Sequence, residues 1–397
     1  MVRDIDRIAD GGSAVRFVIG EYGAGKTFFL NLLRLVALER KCVTLHADLA
    51  PDRRIHATGG QARGLYAEAV RNMSTRTKPD GGALPSVVER FVTECVREAE
   101  QRGEAVAKLI DERLLKLQEH VGGHDFAAVL KAYWRGSEEG DDVLKSSALR
   151  WLRGEYPTKT EARQALGVRS IIDDGDIYDG LKLLAAFVQL AGYTGLVVVF
   201  DEMVNLYKLQ SAQARNQNFE QILRVLNDVL QGNVAGLGFV FGGTPEFLMD
   251  SRRGLYSYQA LQSRLAENSF AKNGLVDHSG PVLRLQSLTP EDLLVLLGNI
   301  RSVFAQGDAS RHLVPDEALP AFMEHCHKRI GEAYFRTPRN TIKAFVQFLA
   351  VIEQNPGVVW TDLIVGVDIA RDLDAANDQA TSDVEADDSD DLATLRL

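Results

Sequence analysis

Five short stretches of the chain are apolar at nearly every position and rich in β-branched and aromatic residues. They are Val15-Arg16-Phe17-Val18-Ile19, Cys42-Val43-Thr44-Leu45-His46-Ala47, Leu196-Val197-Val198-Val199-Phe200, Leu237-Gly238-Phe239-Val240-Phe241 and Pro281-Val282-Leu283-Arg284-Leu285. Runs of this length and composition predict strands. The third has no polar position, which predicts burial on both faces, as in a parallel sheet covered by helices. Between the strands, apolar residues return at helical spacing: Phe28, Phe29, Leu32, Leu33, Leu35 and Val36 form one such pattern, and residues 181–190 and 219–230 form others. Strand, helix, strand in this order is a βαβ unit. The expectation is an α/β fold, a parallel sheet with helices on both faces and its ligand at the carboxyl ends of the strands.

The same pattern divides the chain. Residues 1–63 hold the first strands. Residues 64–180 are dominated by helical patterns broken by turns such as Gly122-Gly123-His124-Asp125. They read as a helical insertion that either caps the sheet or presents a surface to a partner or DNA. Residues 181–288 return to the sheet. Residues 289–371 predict a small helical lid, opening with Thr289 as N-cap, Pro290 at the first position and Asp292 in the first turn. Another lid helix opens at Arg336-Thr337-Pro338-Arg339-Asn340. Residues 372–397 are an acidic tail, expected to be solvated and disordered.

Chemistry enters between the first strand and its helix, where Gly20-Glu21-Tyr22-Gly23-Ala24-Gly25-Lys26-Thr27 fits Gly-x-x-x-x-Gly-Lys-Ser/Thr, the phosphate-binding P-loop. Glycines let successive backbone N–H groups curl around a polyphosphate at a helix N-terminus. Lys26 can reach the β- and γ-phosphates, Thr27 can place its hydroxyl on Mg²⁺, and Phe28 completes the expected nucleotide-binding set. The third strand ends in Asp201-Glu202. Parallel packing puts Asp201 beside the loop as a Mg²⁺ residue and Glu202 where it can polarise a water. An acidic helix cap is the plain alternative. After the fourth strand Thr244 either senses the γ-phosphate or caps the helix that Pro245 begins. Ile5 and Ile8 read as residues packing near the adenine. Three arginines, Arg252, Arg253 and Arg264, precede the last strand.

Composition narrows the partners. A net charge of −10 argues against coating nucleic acid by bulk electrostatics, but leaves local binding open. Three scattered cysteines fit a reducing compartment, and His325-Cys326-His327 diverge too far on a helix to hold one metal ion. The charged start Met1-Val2-Arg3-Asp4-Ile5-Asp6 does not read as a signal peptide, and no apolar run is long enough to cross a bilayer. A cytoplasmic protein without membrane association is expected.

Together these motifs resemble the AAA+ ATPases of the origin-recognition and STAND-like branch. More narrowly, Gly-Glu-Tyr-Gly-Ala-Gly-Lys-Thr-Phe-Phe-Leu from Gly20 and Leu261-Gln262-Ser263-Arg264-Leu265 resemble the ATP-binding proteins of BREX phage-defence systems. The resemblance implies a P-loop NTPase of AAA+ type that binds ATP and Mg²⁺, assembles as a homo-oligomer and works with DNA or a helicase. It implies Glu202 as general base, Thr244 as first sensor, Arg264 as the finger reaching a neighbour's γ-phosphate and Arg339 as a lid residue touching the chain's own nucleotide. Arg252 and Arg253 are rival fingers, and Arg339 has a solvent-exposed alternative. The helical insertion and the Gly242-Gly243 pair before Thr244 depart from the general pattern. Two readings of the activity stand, a hydrolysing motor and an ATP-gated switch that loads a partner enzyme. A small-molecule kinase is a weaker third.

Overall fold

The computed structural model describes residues 1–268, 277–330 and 338–366. Expectations that fall on 331–337, and on the tail from 372, lie outside them. Two compact units result, Met1–Gly20 with Gly25–Leu285, and Gln286–Leu397 with Glu21–Ala24.

Five strands form one sheet: β1 (Ser13–Ile19), β2 (Val43–Asp48), β3 (Leu196–Asp201), β4 (Leu237–Gly243) and β5 (Val282–Arg284). Their order is β2-β3-β4-β1-β5, with every pair parallel. The α/β expectation holds, and so does double burial. Along β3, Val198 and Phe200 enter one core while Val197 and Val199 enter the other.

The smaller core is closed by α1 (Val2–Ala9) and α2 (Lys26–Glu39), which contribute Ile5, Ile8, Leu30, Leu33 and Ala37. Ile5 and Ile8 are therefore sheet core and not an adenine lining: a Cβ at Gly238 of β4 would overlap the Ile8 side chain. The opposite face is larger. It packs against the insertion helices α3 (Gln61–Arg71), α4 (Leu84–Arg102), α5 (Val106–Leu114), α6 (Gly123–Glu139), α7 (Asp142–Leu152) and α8 (Lys159–Leu166), then α9 (Ile177–Leu190), α10 (Val204–Tyr207), α11 (Ala212–Gln231), α12 (Pro245–Met249) and α13 (Gln259–Leu265). Sheet and insertion share one continuous core, through contacts such as Phe91 on Phe187 and Tyr178 on Phe239.

The second unit is helical: α14 (Pro290–Phe304), α15 (Ala318–Ile330), α16 (Pro338–Gln354) and α17 (Trp360–Gly366). Thr289 and Asp292 form the capping box that their spacing predicts. In its core Phe322 stacks on Phe348 and meets Phe345 edge to face. No helix among the described residues is long and apolar enough to cross a membrane.

One polar residue interrupts the first apolar run, and its partners explain it. Arg16 grips both oxygens of the buried Asp4 carboxylate at 2.9 Å and donates to the carbonyls of His278 and Ser279, tying α1 and the approach to β5 onto β1. Burial opposes ionisation of Asp4, but the Arg16 bonds outweigh it and hold the carboxyl below its usual range. A depressed folded pKa adds stability above the unfolded value, and that stability is lost as pH falls through the folded one. Asp4→Ala is expected to cost about 2–4 kcal/mol at neutral pH, because it strands a part-buried guanidinium. The deficit should shrink in urea titrations as pH falls below the ordinary aspartate range and through the lowered folded pKa, where wild-type Asp4 becomes protonated in both states. A deficit independent of pH would leave only packing as its cause.

Candidate active site

The loop after β1 takes the conformation that its glycines permit. Gly23 and Gly25 lie in the left-handed region at φ 79° and 80°, and a Cβ on Gly25 would meet nothing within 4 Å. Glycine is needed at Gly25 for backbone conformation alone, and the space above it stays open. Gly25 is also the N-cap of α2, which has no side-chain cap and no acid in its first turn. The first-turn N–H groups of such a helix are the donors that bind an anion. Lys26 lies across the loop, its Nζ 2.9 Å from the Gly20 carbonyl.

Asp201 is 3% exposed at the end of β3 and brings its Oδ2 to 3.3 Å from the Thr27 hydroxyl. The two strands concerned are not neighbours, because β4 lies between β1 and β3. The carboxylate must therefore cross β4, and it does so over Gly242, where a Cβ would overlap Asp201 Oδ1. Gly242 is a site residue that sequence reading registered only as a departure from pattern.

Glu202 follows in the left-handed region, at φ 57°, which costs a non-glycine residue roughly 1–2 kcal/mol. The turn is held by bonds on both sides. The Glu202 N–H donates to Asp201 Oδ1 at 2.8 Å, the Met203 N–H to the Gly242 carbonyl at 3.0 Å, and Asn205 Nδ2 to the carbonyls of Glu202 and Leu49. Burial, then the charge of Asp201, pushes the Glu202 carboxyl above its ordinary range, with Lys26 pulling the other way. Asp48 raises it further from the end of β2, where it pairs in register with Asp201 and lies 3.4 Å from His46 Nε2. Burial lowers the His46 pKa. Asp48 and Asn205 were missed as site residues. An acid closing a parallel strand was the available signal for the first, and nothing local marked the second.

The remaining predicted residues have the following local settings. Thr244 caps α12, accepting the Phe247 N–H at 3.4 Å. Arg264 is exposed on α13, donating to Asn227 Oδ1 and the Ala260 carbonyl. Arg252 is exposed, whereas Arg253 is tied inside its own chain to the Leu209 carbonyl. Arg339 is exposed near the start of α16, in the second unit. Phe28, just after the loop, is 75% exposed, and Tyr22 within it is 36% exposed. A cavity of about 30 Å³ on the far face of the sheet, lined by His56, Tyr178 and Phe239, is too small for a nucleotide.

The arrangement joins an anion-binding helix start, a hydroxyl–carboxylate pair and a carboxyl of raised pKa at one sheet edge. Thr27 and Asp201 offer the hard oxygen donors that suit Mg²⁺. Among known families, the one described as BREX system ATP-binding protein BrxC/D matches residues 1–368. No curated protein matches the chain.

Two outcomes test this geometry. Gly242→Ala is expected to cost about 1–3 kcal/mol by overpacking. Most of that should vanish in an Asp201→Ser background, where the overlapping oxygen is gone, and additive losses in the urea double-mutant cycle would refute the crossing. The raised pKa of Glu202 means that the folded chain holds this proton more tightly, so stability falls as pH rises from the ordinary glutamate range through the folded pKa. Glu202→Gln should therefore raise the melting midpoint at neutral pH and leave it unchanged below about pH 4, as read by calorimetry. Equal shifts at both pH values would exclude an electrostatic origin.

Proposed function

The chain belongs to the family of BREX system ATP-binding proteins BrxC/D, and from that premise we propose that it is a Mg²⁺-dependent ATPase of AAA+ type, working with DNA or a DNA helicase in phage defence. ATP binding is the family's stated property; hydrolysis is the step added here. The observation that supports it is the meeting of Thr27, Asp201 and Glu202 at the mouth of the glycine loop.

In this reading the first-turn N–H groups of α2 and the Lys26 ammonium receive the β- and γ-phosphates. Thr27 and Asp201 hold Mg²⁺, which when bound neutralises phosphate charge. Glu202, aimed by its left-handed backbone, accepts hydrogen bonding from the attacking water. Its raised pKa brings it closer to neutral pH, where a general base is most effective. Thr244 orients the same region as first sensor while capping α12. Arg264 is exposed and bonded only to a neutral amide and a carbonyl, whereas Arg253 is part-buried, which favours Arg264 as a finger for a neighbouring subunit. Arg339 would contact the chain's own nucleotide from the lid, and the assembly would be a homo-oligomer.

ATP turnover measured with and without DNA tests the reading. Lys26→Ala should abolish nucleotide binding. Glu202→Gln should keep binding and lose turnover by roughly 10²–10⁴, the usual worth of a general base. Arg264→Ala should lose about 10³–10⁵, and mixing it with Lys26→Ala should restore activity, because each supplies the half-site that the other lacks. A Glu202→Gln protein that hydrolyses ATP like wild type removes the assigned base. A slow wild-type rate indifferent to DNA would assign the gated switch instead of the motor.

A further inference from the structure

Two guanidinium groups beside the segment that joins α10 to α11 carry charge without a direct ion pair to a carboxylate. Arg215 of α11 is 9% exposed, and its Nη1 donates to the carbonyls of Leu209 and Gln210 at 2.5 and 3.1 Å. Arg253 donates from Nη2 to the same Leu209 carbonyl at 3.2 Å and lies over the Tyr207 ring, 5.4 Å from its centre. Its Nε is buried with no partner. Asp250 is the near acid, but its oxygens are taken by the N–H groups of Arg252 and Arg253 and by the Tyr207 hydroxyl. Neither Arg215 nor Arg253 forms an ion pair among the described residues.

Burying two like charges against shared neutral carbonyls is unfavourable: burial followed by the charge of Arg253 lowers the Arg215 pKa, with Asp250 only partly opposing them. A group that supplied anionic oxygens here would relieve both costs. Guanidinium forks match phosphate in shape and charge. The exposed Arg252 and Lys208 flank the pair, and the half-exposed Tyr207 adds an aromatic surface. Clustered arginines with an interleaved aromatic ring are the combination that binds nucleic-acid strands.

We propose that Arg215 and Arg253 form an anion site for a phosphate group, carried by the backbone of a nucleic-acid strand or supplied as free phosphate. The site shares no residue with the glycine loop, and it rests on the proposed function only for the identity of the strand. Its location gives it a route to the chemistry. An anion would engage the guanidinium groups that now hold Leu209, in the segment joining α10 to α11 just after Glu202.

The full chain without nucleotide is titrated with a labelled single-stranded oligonucleotide, read by anisotropy at several salt concentrations. This keeps the test independent of hydrolysis. Arg253→Gln is expected to weaken binding about tenfold and to reduce the slope of log affinity against log salt by about 0.7, the value for one backbone phosphate on a single strand. Arg253→Lys should keep most of the slope, with circular dichroism confirming that both variants fold. In a second arm, inorganic phosphate is titrated into Lys26→Ala protein, whose glycine loop is disabled, with and without Arg253→Gln. Binding lost with Arg253 in this arm alone would assign free phosphate as the ligand. Affinities unchanged by Arg253→Gln in both arms, or no binding of either probe at low salt, would overturn the site.

Discussion

The candidate site depends on one steric permission, the absence of a side chain at Gly242. In this strand order the helix bearing Thr27 and the strand bearing Asp201 belong to strands separated by β4. A short carboxylate reaches across only if the intervening strand is bare at that point. The same glycine's carbonyl accepts the Met203 N–H and so helps to bend the chain after Asp201. One position therefore sets both the reach of the acid and the turn that positions the part-buried Glu202.

That turn is strained, and its surroundings hold it. Asn205 ties Glu202 to the end of β2, and the Leu49 N–H donates to the Asp201 carbonyl. The chain leaving β2 is in turn anchored at a distance. Asn218, fully buried on α11, exchanges hydrogen bonds with the His56 backbone, and Asp174 accepts the N–H groups of Gly60 and Arg63 at the start of α3. Bonded polar groups of this kind favour one arrangement, most of all the buried Asn218, since leaving a buried partner unpaired costs about 1–3 kcal/mol. The helical insertion is thus connected to the site edge through hydrogen bonds as well as through the shared core.

Much of this molecule was legible from local pattern. Apolar runs located all five strands, most plainly β3, which is buried on both faces and has no polar position before Asp201. The glycine loop and the Asp201-Glu202 ending were legible because phosphate binding constrains backbone conformation and contiguous residue types, and both are written in adjacent letters. The Thr289 and Thr244 caps were legible for the same reason, since a cap satisfies N–H groups two or three residues away.

What tertiary structure decided concerns residues far apart in the chain. Only the strand order explains Gly242, whose neighbour in space, Asp201, lies 41 positions earlier. Only burial showed that Ile5 and Ile8 serve the sheet and that Arg253 is held within its own chain while Arg264 is exposed. Asp48 and Asn205 joined the site through strand register and a backbone reversal. Local propensity carries neither, because both depend on which distant carbonyl or carboxylate the fold brings within about 3 Å, the reach of a hydrogen bond.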